Sequence, residues 1–268
     1  MKLSTATEIL KESGIDNARG EARLLFSEIA KIPNSELYGR DAESDSEALI
    51  AAIKRRVERE PLQYIIGEVD FYRERYKVTS DCLIPRPDTE ILVEEVIKRL
   101  PSAAHFIDLC TGSGCIALSI LNNTERTHAE AVDISSPALS VARENADRLS
   151  LLDRITFIEK DVLTEAVPGK FSAVVSNPPY VTTDAYKKLM PEIYYEPDIA
   201  FLGGEDGLDF YRGILNLYEN SLSDGGFFAF EIGYDQGNDL CRLADKHSFT
   251  AEIIKDLSGN DRVAVLKR

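Results

Sequence analysis

Apolar residues recur with helical spacing through the first sixty positions. Ala22, Leu25, Phe26 and Ile29 fall at i, i+3, i+4 and i+7, one face of a helix. Leu49, Ile53 and Val57 continue along one side of a second segment. Thr5 with Glu8, and Ser44 with Glu47, have the spacing of capping boxes and predict helix starts there. Gly14 is the expected stop of the first helix. The basic run Lys54-Arg55-Arg56 reads as a solvated face, or as a docking surface for an acidic partner. Pro61 breaks the helical texture. Residues 68–79 then carry two β-prone runs around a charged turn, a short hairpin. Asp88 is the expected cap of a helix that runs to about Leu100 and is ended by Pro101.

From residue 104 the pattern changes to strand–helix alternation. Apolar strands are predicted at 105–110, 129–134, 155–160, 171–176 and 227–232, with helical segments between several of them, notably 136–149. Two further β-prone runs, 250–257 and 262–267, flank the turn Ser258-Gly259-Asn260-Asp261. This is the sequence form of a doubly wound α/β fold, and the tail hairpin adds one antiparallel strand to an otherwise parallel sheet. The expected division is a helical N-terminal domain over 1–60, a hairpin connector over 61–85 and an α/β domain over 86–268.

Charge narrows the partners. Over 268 residues, 31 Lys and Arg stand against 46 Asp and Glu, a net charge of −15. Phosphate backbones are held by basic surfaces, so a whole-protein nucleic-acid binder is disfavoured. Residues 1–76 carry 12 basic and 15 acidic side chains, which leaves 19 and 31 in the remainder. The N-terminal part is therefore nearly balanced, and the acidity sits in the α/β part. No apolar run approaches the roughly 20 residues of a membrane span. The N-terminus lacks an apolar leader, so the expected location is the cytoplasm. Cys82, Cys110, Cys115 and Cys241 form no CxxC pair, and with only His105, His128 and His247 beside them no metal site is expected.

After the first α/β strand comes Asp108-Leu109-Cys110-Thr111-Gly112-Ser113-Gly114. Gly112 and Gly114 allow a tight turn and a close backbone approach to a ligand, and the turn opens a helix with free N–H groups. The second strand ends at Asp133, whose carboxylate can accept both hydroxyls of a ribose. Together these predict an adenosine-type cofactor, and on this motif alone a dinucleotide competes with S-adenosylmethionine.

The fourth strand runs into Asn177-Pro178-Pro179-Tyr180. This segment suits a planar nitrogen bearing two hydrogens. The Asn177 side-chain carbonyl can accept one N–H and the backbone carbonyl of Pro178 the other, while proline brings no competing donor. Tyr180 can stack on the planar group. An amide nitrogen is a poor nucleophile because its lone pair is delocalised. Two acceptors bind it more tightly as positive charge builds, which favours the transition state. Hydride transfer gains nothing from this arrangement, so the pairing favours S-adenosylmethionine as donor.

These residues resemble the release-factor glutamine methyltransferases, the HemK/PrmC family. The resemblance spans essentially the whole chain, through Pro61-Leu62-Gln63-Tyr64, Leu83-Ile84-Pro85-Arg86-Pro87-Asp88-Thr89-Glu90, the glycine turn, Asp133-Ile134-Ser135, the Asn-Pro-Pro-Tyr motif, Glu196-Pro197 and Glu231-Ile232-Gly233. It implies a Rossmann-like class I methyltransferase domain with a small helical N-terminal domain joined by a β-hairpin. It also implies N5-methylation of the glutamine in the Gly-Gly-Gln motif of class 1 peptide-chain release factors. The donor would be S-adenosyl-L-methionine, leaving S-adenosyl-L-homocysteine. Asn177, Pro178 and Pro179 would hold the glutamine amide, with Tyr180 beside it and Arg86 and Glu90 ordering the segment over the site. Asp108, Cys110, Thr111, Gly112, Ser113, Gly114, Asp133, Ile134, Asp161, Val162 and Asn177 would form the cofactor site. The N-terminal domain would help grip the release factor, and a monomer is implied.

Two positions depart from the family pattern. Cys110 stands where glycine is usual, and Val162, after Asp161, where some relatives have an aromatic residue. Three other readings share the motifs: a glutamine methyltransferase of a ribosomal protein, a nucleic-acid base amino-group methyltransferase, and a cofactor-binding adaptor without turnover. The acidity of the α/β part counts against the nucleic-acid reading.

Overall fold

The helical periodicity of the first segment becomes five helices in the computed structural model, which describes all residues from 1 to 268. These are α1 (Leu3–Glu12), α2 (Ala18–Glu28), α3 (Asn34–Leu37), α4 (Glu47–Val57) and α5 (Leu62–Ile66). Their apolar faces meet in one core that includes Leu10, Ala22, Leu25, Phe26, Leu49 and Ile53. Both predicted helix starts are displaced, the first three residues earlier and the second two residues later. Helix α1 begins at Leu3, whose N–H is taken by the Ala42 carbonyl, so Thr5 lies inside it. Helix α4 is capped by Ser46, which accepts from the Leu49 N–H, while Ser44 accepts from Ser46. A long-range backbone bond sets the first start and a local side-chain cap the second, in place of the box spacing. Arg56 also departs from the solvated-face reading. It is buried and paired with Glu21 at 2.6 Å and Glu192 at 3.1 Å.

The chain divides into two compact units. One is Met1–Glu68 with Met190–Tyr195, and the other is Val69–Leu189 with Glu196–Arg268. The helical unit thus runs past residue 60, because α5 buries Leu62 and Ile65 in the helical core.

The second unit opens with the hairpin strands β1 (Glu68–Phe71) and β2 (Glu74–Lys77), which form their own two-stranded sheet. A 3-10 turn over Pro87–Thr89 leads into α6 (Glu90–Arg99). Asp88 makes no cap there, and its carboxylate instead lies 3.2 Å from Arg262. Alternation follows: β3 (His105–Leu109), α7 (Cys115–Asn122), β4 (His128–Asp133), α8 (Ser136–Arg148), β5 (Ile155–Glu159), β6 (Phe171–Ser176), α9 (Thr183–Tyr186), α10 (Asp209–Tyr218), β7 (Leu222–Glu231), α11 (Gly237–Lys246), β8 (Thr250–Lys255) and β9 (Asp261–Lys267).

The seven-stranded sheet has the order β5-β4-β3-β6-β7-β9-β8. All neighbours are parallel except at β9, which runs antiparallel to both β7 and β8. Its strands are apolar on both faces, as a sheet covered twice requires. Phe106, Ala173, Val175, Phe227 and Ala229 pack on one face with Leu92, Val93 and Val96 of α6 and with α7. Ile107, Val174, Phe228 and Phe230 pack on the other with Tyr211, Ile214 and Leu215 of α10 and Leu240 and Leu243 of α11. The result is a three-layer, Rossmann-like α/β unit. No helix is long and apolar enough to cross a membrane.

Strand order reverses between β3 and β6: the chain moves outward one way to β4 and β5, then the other way from β6. Ligands in open α/β sheets bind at such a switch point, outside the carboxyl ends of the strands.

Candidate active site

A cavity of about 260 Å³ opens at that switch point. Its wall takes residues from the carboxyl ends of four adjacent strands: Cys110 and Gly112 after β3, Asp133 and Ile134 at β4, Asp161 and Val162 after β5, and Asn177 and Pro179 after β6. The predicted residues that line one cavity therefore come from both the glycine turn and the Asn-Pro-Pro-Tyr segment.

The glycine turn is braced from within. Asp108 is fully buried, and its Oδ2 accepts from the Thr111 hydroxyl at 2.6 Å and the Ala117 N–H at 3.3 Å. Burial pushes its carboxyl up to about 7, against those two hydrogen bonds. Thr111 and Ser113 are buried too, and the Ser113 carbonyl accepts from Asn145 at 3.0 Å. Asp108, Thr111, Ser113 and Gly114 thus shape the turn and do not line the cavity. The two glycines serve different ends. A Cβ on Gly112 would meet no atom within 4 Å, on a residue that lines the cavity. A Cβ on Gly114 would stand 3.0 Å from that of Ala142, so this glycine lets α7 approach α8. Cys110 adopts φ +60°, a conformation that costs a side-chain-bearing residue about 1–2 kcal/mol.

Asp133 holds the turn from the next strand. Its Oδ2 accepts from the Gly112 N–H at 2.8 Å and its Oδ1 from the Ser135 N–H at 2.9 Å. Each carboxylate oxygen keeps a further lone pair for a ligand hydroxyl. Burial raises its carboxyl, opposed by those backbone N–H groups. Val162 and Ile134, with Leu163, Ala138 and Phe210, supply an apolar wall fit for a planar base. An open glycine, a carboxylate with spare acceptors and this wall suit an adenosine-type cofactor.

Asn177 follows β6, and its amide nitrogen donates to the Thr89 hydroxyl at 3.3 Å. Thr89 donates in turn to the buried Glu231 at the end of β7. Pro178 and Pro179 are buried. Tyr180 does not stand in the cavity: its hydroxyl donates to Glu231 at 3.1 Å, as a mostly buried phenol requires a partner. Burial and the Glu231 charge push the Tyr180 phenol above its usual pKa, so it stays protonated as a donor.

Two further expected residues also lie off the cavity wall. Arg86 pairs with Glu196, whose buried carboxylate accepts the Ile84 N–H at 2.9 Å as well. Glu90 turns to the hairpin, where it accepts the Tyr72 N–H at 2.8 Å. That backbone donor ties Glu90 to the hairpin, off the cavity wall. Conversely, Asp81–Leu83, Lys160, Leu163, Pro197, Ile199, Ala200 and Phe210 line the cavity without having been anticipated. Leu83 and Pro197, like Ser135, which also lines the cavity, carried a signal as part of the segments by which the chain resembles the family.

Glu196→Ala should cost about 2–3 kcal/mol, because it strips the Ile84 N–H and Arg86 of their shared partner. Arg86→Ala should cost less, about 1–2 kcal/mol, since Arg86 is partly exposed and the Ile84 N–H still holds the buried carboxylate. Denaturant unfolding of the two variants checks the order. Gly207→Ala is a third expectation. Gly207 has φ +74°, and a Cβ there would fall 2.3 Å from the Tyr180 carbonyl. The loss should be about 2–4 kcal/mol, visible as a lowered Tm.

The sheet order, the cavity at its switch point and the family matches together make this a Rossmann-like methyltransferase. The chain matches the methyltransferase small domain over residues 86–194 and the PrmC N-terminal domain over residues 2–67. It is 40% identical to the release factor glutamine methyltransferase of Thermodesulfovibrio yellowstonii, over 92% of each chain. It is 39% identical to that of Moorella thermoacetica, over 97% of this chain and 95% of the relative. Among solved structures, a ribosomal protein L11 methylase from Lactobacillus delbrueckii superposes with a TM-score of 0.51. That match is 20% identical and covers 68% of this chain and 80% of the other, which speaks for the fold alone. The chain belongs to the release factor glutamine methyltransferase family.

Proposed function

We propose that the protein transfers a methyl group to the side-chain amide nitrogen, N5, of the glutamine in the Gly-Gly-Gln motif of class 1 peptide-chain release factors. The observation that carries this reading is that Asn177 lines the same cavity as Gly112 and Asp133. S-adenosylmethionine, when bound, supplies the methyl group as a sulfonium substituent and leaves as S-adenosylhomocysteine. Asp133 would hold its ribose, the Gly112 turn would let it approach, and Ile134 and Val162 would face its base. Asn177 Oδ1 and the Pro178 carbonyl would each accept one amide N–H of the glutamine. Positive charge builds on that nitrogen as it is alkylated, so both bonds strengthen where the barrier lies. No separate base is required, because the nitrogen becomes acidic once it carries the new bond.

The helical unit, with 1–60 as its main part, serves as the substrate-docking part in this reading, and the 61–85 segment as its connector. The near balance of charge over residues 1–76 supports a contact with protein. The net acidity supports an enzyme that works as a monomer without direct contact to nucleic acid. Labelled methyl incorporation into an unmodified class 1 release factor, absent when its Gly-Gly-Gln glutamine is replaced by alanine, tests the reading. Equal labelling of both would overturn it.

A further inference from the structure

Asn177 has to present the correct end of its amide. The carbonyl oxygen accepts and the NH2 donates, yet the two ends have nearly the same shape. Only the oxygen can take an N–H from a glutamine amide. We infer that Thr89 and Glu231 are positioning residues that hold Asn177 with its carbonyl oxygen toward the acceptor; the inference rests on the methyltransferase reading above.

Glu231 is 2% exposed and takes two hydroxyls, Thr89 on Oε2 and Tyr180 on Oε1. Both hydroxyls donate to it, one to each carboxylate oxygen. A threonine hydroxyl has a single proton. With that proton committed to Glu231, Thr89 Oγ1 offers Asn177 only lone pairs. The group that can meet a lone pair is the Asn177 NH2, and Nδ2 stands 3.3 Å from Oγ1. The opposite orientation would set Asn177 Oδ1 against an oxygen with no proton to give. Oδ1 is therefore turned away from Thr89.

The charges around Glu231 work in both directions. Burial pushes the Glu231 carboxyl above the usual carboxylate range and Asp88 adds to this, while the hydrogen bonds from Thr89 and Tyr180 and the Arg262 charge oppose it. Arg262 is itself held by Asp88 at 3.2 Å and Asp256 at 3.4 Å. Tyr211 donates to the Glu231 main-chain carbonyl and leaves the carboxylate free. Thr89 and Glu231 do not line the cavity, so they act through Asn177 and not on substrate or cofactor.

The test compares wild type, Thr89→Val and Thr89→Ser on an unmodified class 1 release factor. Valine keeps the shape and removes the hydroxyl. It should lower kcat about 10- to 100-fold, with the release-factor KM and the cofactor Kd within about threefold of wild type. Serine keeps the hydroxyl and should restore kcat to within about threefold. A Thr89→Val enzyme with wild-type kcat overturns the inference, as does a serine variant no better than valine. So does a loss of cofactor affinity equal to the loss in kcat, which would mark a purely structural role.

A second readout does not need turnover. The side-chain NH2 signals of Asn177, assigned by their loss in Asn177→Asp, should include one proton shifted by its hydrogen bond to Thr89. That shift should collapse in Thr89→Val. Signals unchanged by the substitution overturn the inference. A wild-type enzyme that leaves the release factor unmethylated, but shows this collapse, would sink the substrate reading and keep the orientation.

Discussion

Asn177→Ala should reduce methyl transfer by about 10²–10³-fold while the cofactor dissociation constant stays within about threefold. The split follows from where the side chain stands. Asn177 lies on the cavity wall at the end of β6, while the glycine turn and Asp133 belong to β3 and β4. Alanine removes the carbonyl that meets the amide nitrogen as its charge develops, but touches none of the bonds that shape the turn. Thr89 loses the donor at its Oγ1 but keeps its own hydrogen bond to Glu231. Single-turnover rates beside equilibrium binding would separate the two effects. Equal losses of rate and cofactor affinity would show that Asn177 is a cofactor residue only.

Asp133→Ala should act the other way, weakening the cofactor first. Hydrogen bonds to a charged group contribute about 1.5–3 kcal/mol, so the dissociation constant should rise about 10- to 150-fold. Part of that loss comes through the turn, because the carboxylate also holds the N–H groups of Gly112 and Ser135. Asp133→Asn keeps one acceptor oxygen and should fall between the two. With cofactor at saturation, the methyl-transfer rate of the alanine variant should recover most of its wild-type value. Calorimetric titration measures the affinity, and an unchanged dissociation constant would contradict the assignment.

The strands were legible because each carries apolar residues that serve both faces of a covered sheet. The strand predicted at 171–176 has those bounds in the structure. β7 was harder. It begins at Leu222, where Leu222 pairs with Phe171 across an irregularity, and the glycines at 225 and 226 disguise that stretch as a turn. Helix starts slipped because α1 is begun by a bond to Ala42, some forty residues away in the chain.

The site divides in the same way. Gly112, Asp133 and Asn177 could be read because each sits in a short motif whose chemistry is local. The loops at 81–83 and 197–200 could not, because they reach the cavity only when distant segments fold over the carboxyl edge of the sheet. Thr89 and Glu231 lay in segments that carried the family resemblance, yet their partnership spans 142 positions and no spacing rule reaches that far. Glu90 shows the converse. A charged residue beside a site-like segment was committed to the hairpin backbone instead.

The central claim is tested most directly by mass spectrometry of a class 1 release factor made without its methyltransferase and then incubated with this protein and S-adenosylmethionine. The expected result is one added methyl group, placed by fragmentation on the glutamine of the Gly-Gly-Gln peptide. An unmodified peptide, with cofactor binding demonstrated in the same preparation, would contradict the release-factor assignment.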